Sequence, residues 1–414
     1  MIHELLAGAL LLAQPQLRHG LNPSFHGPSS RAIVFADAFL RARVVDPVGT
    51  RLFSDVEHPG GRWVLEWDGP SEDVSIEGAA PASRVPGRSE YVLPRSWRPL
   101  YVRWSGETGR IHLWLPGTEG ELFWPPFVRL LRAFRPSVLR TLDWTRVNEG
   151  LRPRDPRTQW VVSASNQVAL ANLVGCDLHY QVPHDAPEAW LRATFAELRA
   201  LDGELTVEVS NELWNPDFPV WRWLDAQPGR HVDAAARELD RVLAIAAEEL
   251  PQARRFVGGQ LRNPWYLATL LDLLTVPVDA CGPAAYVGPR GPPPATAEDC
   301  ALACLAAVPE IADLLAAHRA IAQARGLELE VYEAGQSFKE GGPAVSAAQR
   351  LELMGGAYRA LARVLEGEGV ARVCWYSLAT SQEAPGTAPF GLLEGMSAPL
   401  LPKAAAVLEL ARGR

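Results

Sequence analysis

From about Pro125 onward, short apolar runs alternate with longer segments whose apolar residues recur at helical spacing. The runs Val138 to Trp144, Asp177 to Val182, Leu205 to Ser210, Arg255 to Gly259, Val278 to Tyr286, Leu329 to Glu333 and Val373 to Leu378 have strand length and strand composition. Between them, Ala186 to Leu201, Val232 to Leu250, Ala301 to Ala324 and Ala347 to Leu365 are Ala-, Leu- and Arg-rich and amphipathic. Such alternation predicts repeated βα units around a parallel sheet. Seven strands leave a barrel open, and Leu17 to Phe25, followed by a helical Phe35 to Arg43, is the candidate for the eighth. The predicted fold class is therefore α/β, a (β/α)8 TIM barrel.

Residues 60–121 break this pattern. Trp63 to Trp67, Glu90 to Val92, Leu100 to Trp104 and Ile111 to Trp114 are short aromatic strands separated by Gly, Pro and Ser turns. They predict a small inserted antiparallel, sandwich-like β domain near the N-terminus, with residues 1–59 starting the barrel and 122–414 completing it. Its rings fit either a hydrophobic core or a face that stacks on sugars.

Composition narrows the chemistry. The chain is 48% hydrophobic and 21% charged with a formal net charge of -8, which disfavours nucleic acid or an anionic membrane as partner. The five cysteines, at 176, 281, 300, 304 and 374, form no CxxC, so buried thiols are expected rather than a metal site or a disulfide framework. An apolar stretch near the N-terminus, Leu5 to Ala13, fits either a cleavable export signal without its basic head or a packing helix, so a secreted or a cytoplasmic location stays open. No later segment is expected to be long enough to span a membrane. Neither cofactor nor metal is called for, and oligomeric state is not legible.

The candidate chemistry lies at two strand ends. In a parallel barrel the reacting groups sit at the C-terminal ends of the strands, and Glu212 and Glu333 both end apolar runs just before turns. Strict alternation places Glu333 with Leu329 and Val331 on the barrel interior and Glu330 on the helix side. On the other strand, Glu208 shares parity with Glu212 but lies about 13 Å deeper at roughly 3.3 Å per residue. Two carboxylates at one mouth suggest glycoside hydrolysis.

Ser210-Asn211-Glu212 on the fourth strand and Tyr332-Glu333 on the seventh resemble the retaining glycoside hydrolases of clan A. Together with Asp143-Trp144, Pro183-His184 and the run Tyr332 to Gln336, the order is similar to uncharacterised bacterial clan-A-like proteins that carry an inserted β-sandwich. The resemblance implies Glu212 as acid/base, Glu333 as nucleophile, Asn211 on the sugar 2-hydroxyl, and an oligo- or polysaccharide substrate. It further implies Arg140 and Tyr286 beside the nucleophile, Trp375 as an aromatic platform, and Asp143 and His184 at the sugar site. Trp214 and Trp221 are candidates to bound the cleft, with core packing as the alternative. The competing reading is an inactive glycan-binding or scaffold barrel; a serine esterase or zinc hydrolase is disfavoured because neither GxSxG nor HExxH occurs.

Overall fold

The computed structural model describes residues 17–23, 33–41, 43–46, 49–53, 56–69, 74–105, 110–142, 144–145, 147–148, 150, 162–338, 340–380, 389–396 and 399–412. Eight parallel strands close into a barrel: β1 (Arg18–Leu21), β2 (Val138–Arg140), β3 (Asp177–Val182), β4 (Leu205–Val209), β5 (Arg254–Gly259), β6 (Ala280–Pro283, continued by Ala285–Val287), β7 (Glu328–Gln336) and β8 (Arg372–Trp375). The order runs from β6 through β5, β4, β3, β2, β1 and β8 to β7, and β7 pairs back onto β6. This is the (β/α)8 barrel expected from the alternation. The strand assigned to Leu17 to Phe25 is β1, and residues 24–32 lie outside the described set.

Each strand is followed by helix: α1 (Pro125–Phe134), α2 (Ala164–Val174), α3 (Glu188–Leu198), α4 (Pro219–Asp225), α5 (His231–Glu249), α6 (Pro264–Leu273), α7 (Ala297–Gln323), α8 (Pro343–Ala348), α9 (Glu352–Gly367) and α10 (Pro402–Ala411). The strands read as near-continuous apolar runs because each is covered on both faces. Their outward residues, among them Leu178, Tyr180, Val207, Val209, Leu329, Val331 and Val373, meet Leu191, Leu243, Leu315 and Leu361 of the helix layer in one core. Helix α7 starts where the Thr296 hydroxyl accepts the Asp299 amide at 3.1 Å, a cap that satisfies one of the helix's free amides. With 27 residues it is long and apolar enough to cross a membrane, which corrects the expectation that no later segment is. Here it packs on α9 and on the barrel through Cys300, Cys304, Val308, Ile311 and Leu315. All five cysteines are free and buried.

Between β1 and α1 lie two four-stranded antiparallel sheets whose strands run from Arg43 to Trp114. The segment predicted as helix, Phe35 to Arg43, forms only a 3-10 turn, Ala38–Arg41, before the first of these strands. The sheets share a core that contains Leu52, Trp63, Leu65, Trp67, Ile76, Tyr91, Val102 and Leu113. Trp63, Trp67 and Tyr91 thus fill the core, whereas Trp97 and Tyr101 are exposed.

Closure of the barrel depends on how near β6 can come to β7. A Cβ at Gly282 would overlap the carbonyl oxygen of Glu330, a backbone atom that cannot swing away. Gly282→Ala is therefore expected to destabilise the fold by about 2 kcal/mol or more. Gly291→Ala, at a site with open space and an ordinary φ, is expected to be neutral; urea unfolding of the two variants distinguishes close approach from a general intolerance to alanine.

Candidate active site

The C-terminal end of β4 is built on a twisted backbone. Ser210 and Glu212 both adopt left-handed φ values, 58° and 44°, uncommon for residues with a Cβ. The turn is held in place by neighbours: the Ser210 amide donates to the Val182 carbonyl at 2.6 Å and the Asn215 amide donates to the Glu212 carbonyl at 2.8 Å. Asn215 also donates from Nδ2 to Glu212 Oε2 at 2.7 Å. Local strain of this kind, of order 1–3 kcal/mol per residue, persists only where contacts over-determine it.

On β7 the observed facing differs from strict alternation. Leu329 and Val331 belong to the outer core, whereas Glu330 and Tyr332 face the barrel interior, the reverse of the sequence-based expectation. The register with β8 shifts between Val331 and Ala334, a bulge that adds one residue and turns the following side chain. Glu333 consequently joins Tyr332 on the inner side. Glu330 is not on the helix face but pairs with Arg254 at 2.8 Å beneath the site.

Arg140, fully buried at the end of β2, ties the two strand ends together. It donates from Nε and Nη2 to Glu208 at 2.8 and 3.0 Å, from Nη2 to Asn211 Oδ1 at 2.9 Å, and from Nη1 to Glu333 Oε1 at 2.7 Å. Its guanidinium lies 4.9 Å from the ring centroid of Tyr332. The hydroxyl of that tyrosine is 3.3 Å from both Glu212 Oε1 and the Gly259 carbonyl. Tyr286 donates to the other oxygen of Glu333 at 2.6 Å.

The environments of the three carboxyls separate their protonation. Burial alone would push Glu208 up, but Arg140 and His179, whose Nε2 is 2.9 Å away, hold it down at about 2. Burial, reinforced by the charge of Glu333, pushes Glu212 up to about 7. Burial also pushes Glu333 upward, opposed by Arg140 and the Tyr286 hydroxyl. One proton shared between Glu212 and Glu333 rests on Glu212, because the cation and the shortest donors converge on Glu333.

The remaining candidates divide. Trp214 lies against the Tyr332 hydroxyl. His184 is buried with its ring 4.9 Å from that of Trp223. Trp375 is buried in the outer core, tilted against Tyr358 at 5.4 Å and donating to Nδ1 of His19 at 3.3 Å, so its ring is closed to a substrate. Asp143 lies outside the described residues. The aromatics at this end are instead Tyr376 and Phe390, which pack on Tyr286 at 6.5 and 5.7 Å. Phe390 follows Pro389, whose carbonyl accepts from Gln336 Nε2 and from the buried Lys403 Nζ on α10. Asn215 and Tyr332 were also missed as partners of Glu212; the first lies three residues after it in the same turn, and the second needed the bulge.

Two stability effects follow. Arg140→Met leaves two buried carboxylates without their cation and is expected to cost about 3–5 kcal/mol at pH 7. Because Glu208 is depressed in the folded state, the stability it contributes is complete above about 4.5 and is lost as pH falls through about 2. The gap between wild type and Arg140→Met in urea titrations should therefore narrow over that interval. Glu212 is raised, so its ionisation burdens the folded state above pH 7; Glu212→Gln is expected to raise the melting midpoint at pH 8 and leave it nearly unchanged at pH 4.

No protein-family model and no curated protein matches the sequence. Among solved structures, the chain is similar to the GH51 arabinofuranosidase from Xanthomonas axonopodis pv. citri, at 14% identity and a TM-score of 0.52, over 70% of this chain and 66% of that one. It is likewise similar to the alpha-L-arabinofuranosidase of Thermotoga maritima in its arabinose complex, at 11% identity and a TM-score of 0.52, over 72% of this chain and 65% of that one. The chain thus spans slightly less than two thirds of the length of either, and what it has in common with both is the (β/α)8 barrel fold.

Proposed function

We propose that the chain is a retaining glycoside hydrolase of clan A that cleaves O-glycosidic bonds in an oligo- or polysaccharide. The observation that carries this reading is the unequal pair at the barrel mouth: Glu333 held by Arg140 and Tyr286, and Glu212 part-buried with a carboxyl raised to about 7. Two carboxyls pushed apart in this way mark an acid and a nucleophile. Glu212 feels the charge of Glu333, and a neighbouring pair of this kind suits a retaining enzyme, whose carboxyls stand about 5–5.5 Å apart, better than the wider gap that admits a water. The two arabinofuranosidases that have the same barrel add support for a glycoside as substrate.

In the first step a Glu333 oxygen bonds to the anomeric carbon as the bond to the leaving oxygen breaks, and Glu212 gives that oxygen its proton. In the second, Glu212 takes a proton from water as the water oxygen bonds to the anomeric carbon and the ester to Glu333 breaks. Asn211 presents Oδ1 to the donor-only Arg140, which fixes its amide and turns Nδ2 toward the sugar 2-hydroxyl. That contact strengthens as positive charge develops on the ring, so it lowers the barrier rather than merely binding substrate.

A panel of p-nitrophenyl glycosides tests the reading. Glu333→Gln is expected to lose about a thousandfold or more in rate while staying folded, and an unaffected rate removes Glu333 from the chemistry. Glu212→Ala is expected to slow poor leaving groups far more than good ones. In wild type, kcat/KM should fall above a pH of about 7 as Glu212 loses its proton, and proton NMR of the first-formed product should give the anomer of the substrate.

A further inference from the structure

Immediately beneath the two glutamates, one layer of the barrel contains two amide side chains with no hydrogen-bond partner among the described residues. Asn22 and Gln181 are buried, and none of their four side-chain polar atoms finds a hydrogen-bond partner among the described residues. Folded proteins rarely leave such groups unpaired, because each costs roughly 1–3 kcal/mol.

Both amides face inward. Gly20 points at the side chains of Val138 and Cys374, and Asn22, two residues on, keeps the ladder through its amide to the Trp375 carbonyl and its own carbonyl to the Leu378 amide. Gln181 follows His179, which reaches Glu208 and Phe256 inside the barrel. The registers also put the two at one height. Leu21 is level with Leu139 and Leu139 with Leu178, so Asn22 is level with His179. Barrel tilt advances each next-but-one strand by about two residues, which brings Gln181 beside Asn22. The same count through Phe256 reaches Gly258 on β5, and through Glu330 it reaches Tyr332 on β7. Such four-residue layers from alternate strands are the packing unit of these barrels. A Cβ on Gly258 would stand 3.5 Å from the Tyr332 ring, as expected for neighbours in one layer.

Tyr332 of this layer touches Glu212, and Gly258 fills none of its share of the space. We infer that Asn22 and Gln181 form the polar floor of the sugar pocket and read neutral hydroxyls of the glycone, deciding which sugar is accepted. An amide suits this task because it offers both donors and acceptors, as a hydroxyl does. The inference rests on the glycosidase reading for its ligand class.

Asn22→Ala and Gln181→Ala test it in two arms. In the first, kcat/KM is measured on the p-nitrophenyl glycoside that wild type hydrolyses and on its monodeoxy analogues. Each variant is expected to lose about tenfold or more on the parent sugar and to equal wild type on one deoxy analogue, the one that lacks the hydroxyl it reads. In the second, calorimetry measures binding of the same glycosides to Glu333→Gln with and without the floor substitutions, and weaker binding is expected with them. Melting midpoints should stay level or rise, since no protein partner is lost. Equal losses on every analogue, unchanged kcat/KM, or unfolding of both variants overturns the inference. Binding that depends on the two amides without any hydrolysis by wild type would keep it and remove the glycosidase reading. Hydrolysis that ignores them does the opposite, and neither binding nor hydrolysis removes both.

Discussion

A positive charge sealed inside a barrel has to be answered, and Arg140 is answered from two other strands at once. Removing a guanidinium from water costs several kcal/mol, recovered only when its donors all find good acceptors. Glu208 from β4 takes two of its hydrogen bonds, Asn211 after β4 takes another, and Glu333 of β7 a fourth. Any arrangement of the barrel mouth that separated these groups would strand a buried ion. The positions of the strand ends are thereby coupled by electrostatics as well as by the backbone ladder. A second cluster repeats the device lower down, where Arg372 reaches from β8 across to Thr206 on β4 and pairs with Glu204 at 2.5 Å.

The same arrangement explains why one part-buried carboxyl keeps its proton while its neighbours do not. Arg140 supplies one positive charge to a space that contains three acids, and its geometry assigns that charge to Glu208 and Glu333. Among the described residues, the donors to Glu212 are the neutral Asn215 and Tyr332. A difference in hydrogen-bond partners is enough to split their protonation.

Much of the fold was legible because the βα alternation is a covering pattern: strands buried on both faces must be apolar, and helices buried on one must be amphipathic. The ends of β4 and β7 stood out as carboxylates that terminate apolar runs. Four features resisted for physical reasons. Facing on β7 could not be counted, because a bulge between Val331 and Ala334 inserts a residue without any compositional mark, so Glu333 reaches the mouth by a route that alternation does not provide. Glu330 and Arg372 look like surface residues but neutralise each other's surroundings inside the barrel, and single-residue polarity cannot reveal a partner distant in sequence. Trp375, an aromatic at a strand end, faces outward into Tyr358, while the adjacent Tyr376 takes the inner position. The short Phe35 to Arg43 segment has helical spacing but hands over to an antiparallel strand, where pairing with Gly49–Leu52 outweighs local preference.

Lys403 gives the barrel mouth an order of assembly. Its ammonium, on α10, bonds the Pro389 carbonyl just before Phe390, the ring that backs Tyr286. β1 likewise completes its pairing only when β8 arrives. A nascent chain emerging from the ribosome therefore holds both glutamates long before it holds the wall behind them. That wall is complete only once α10 docks.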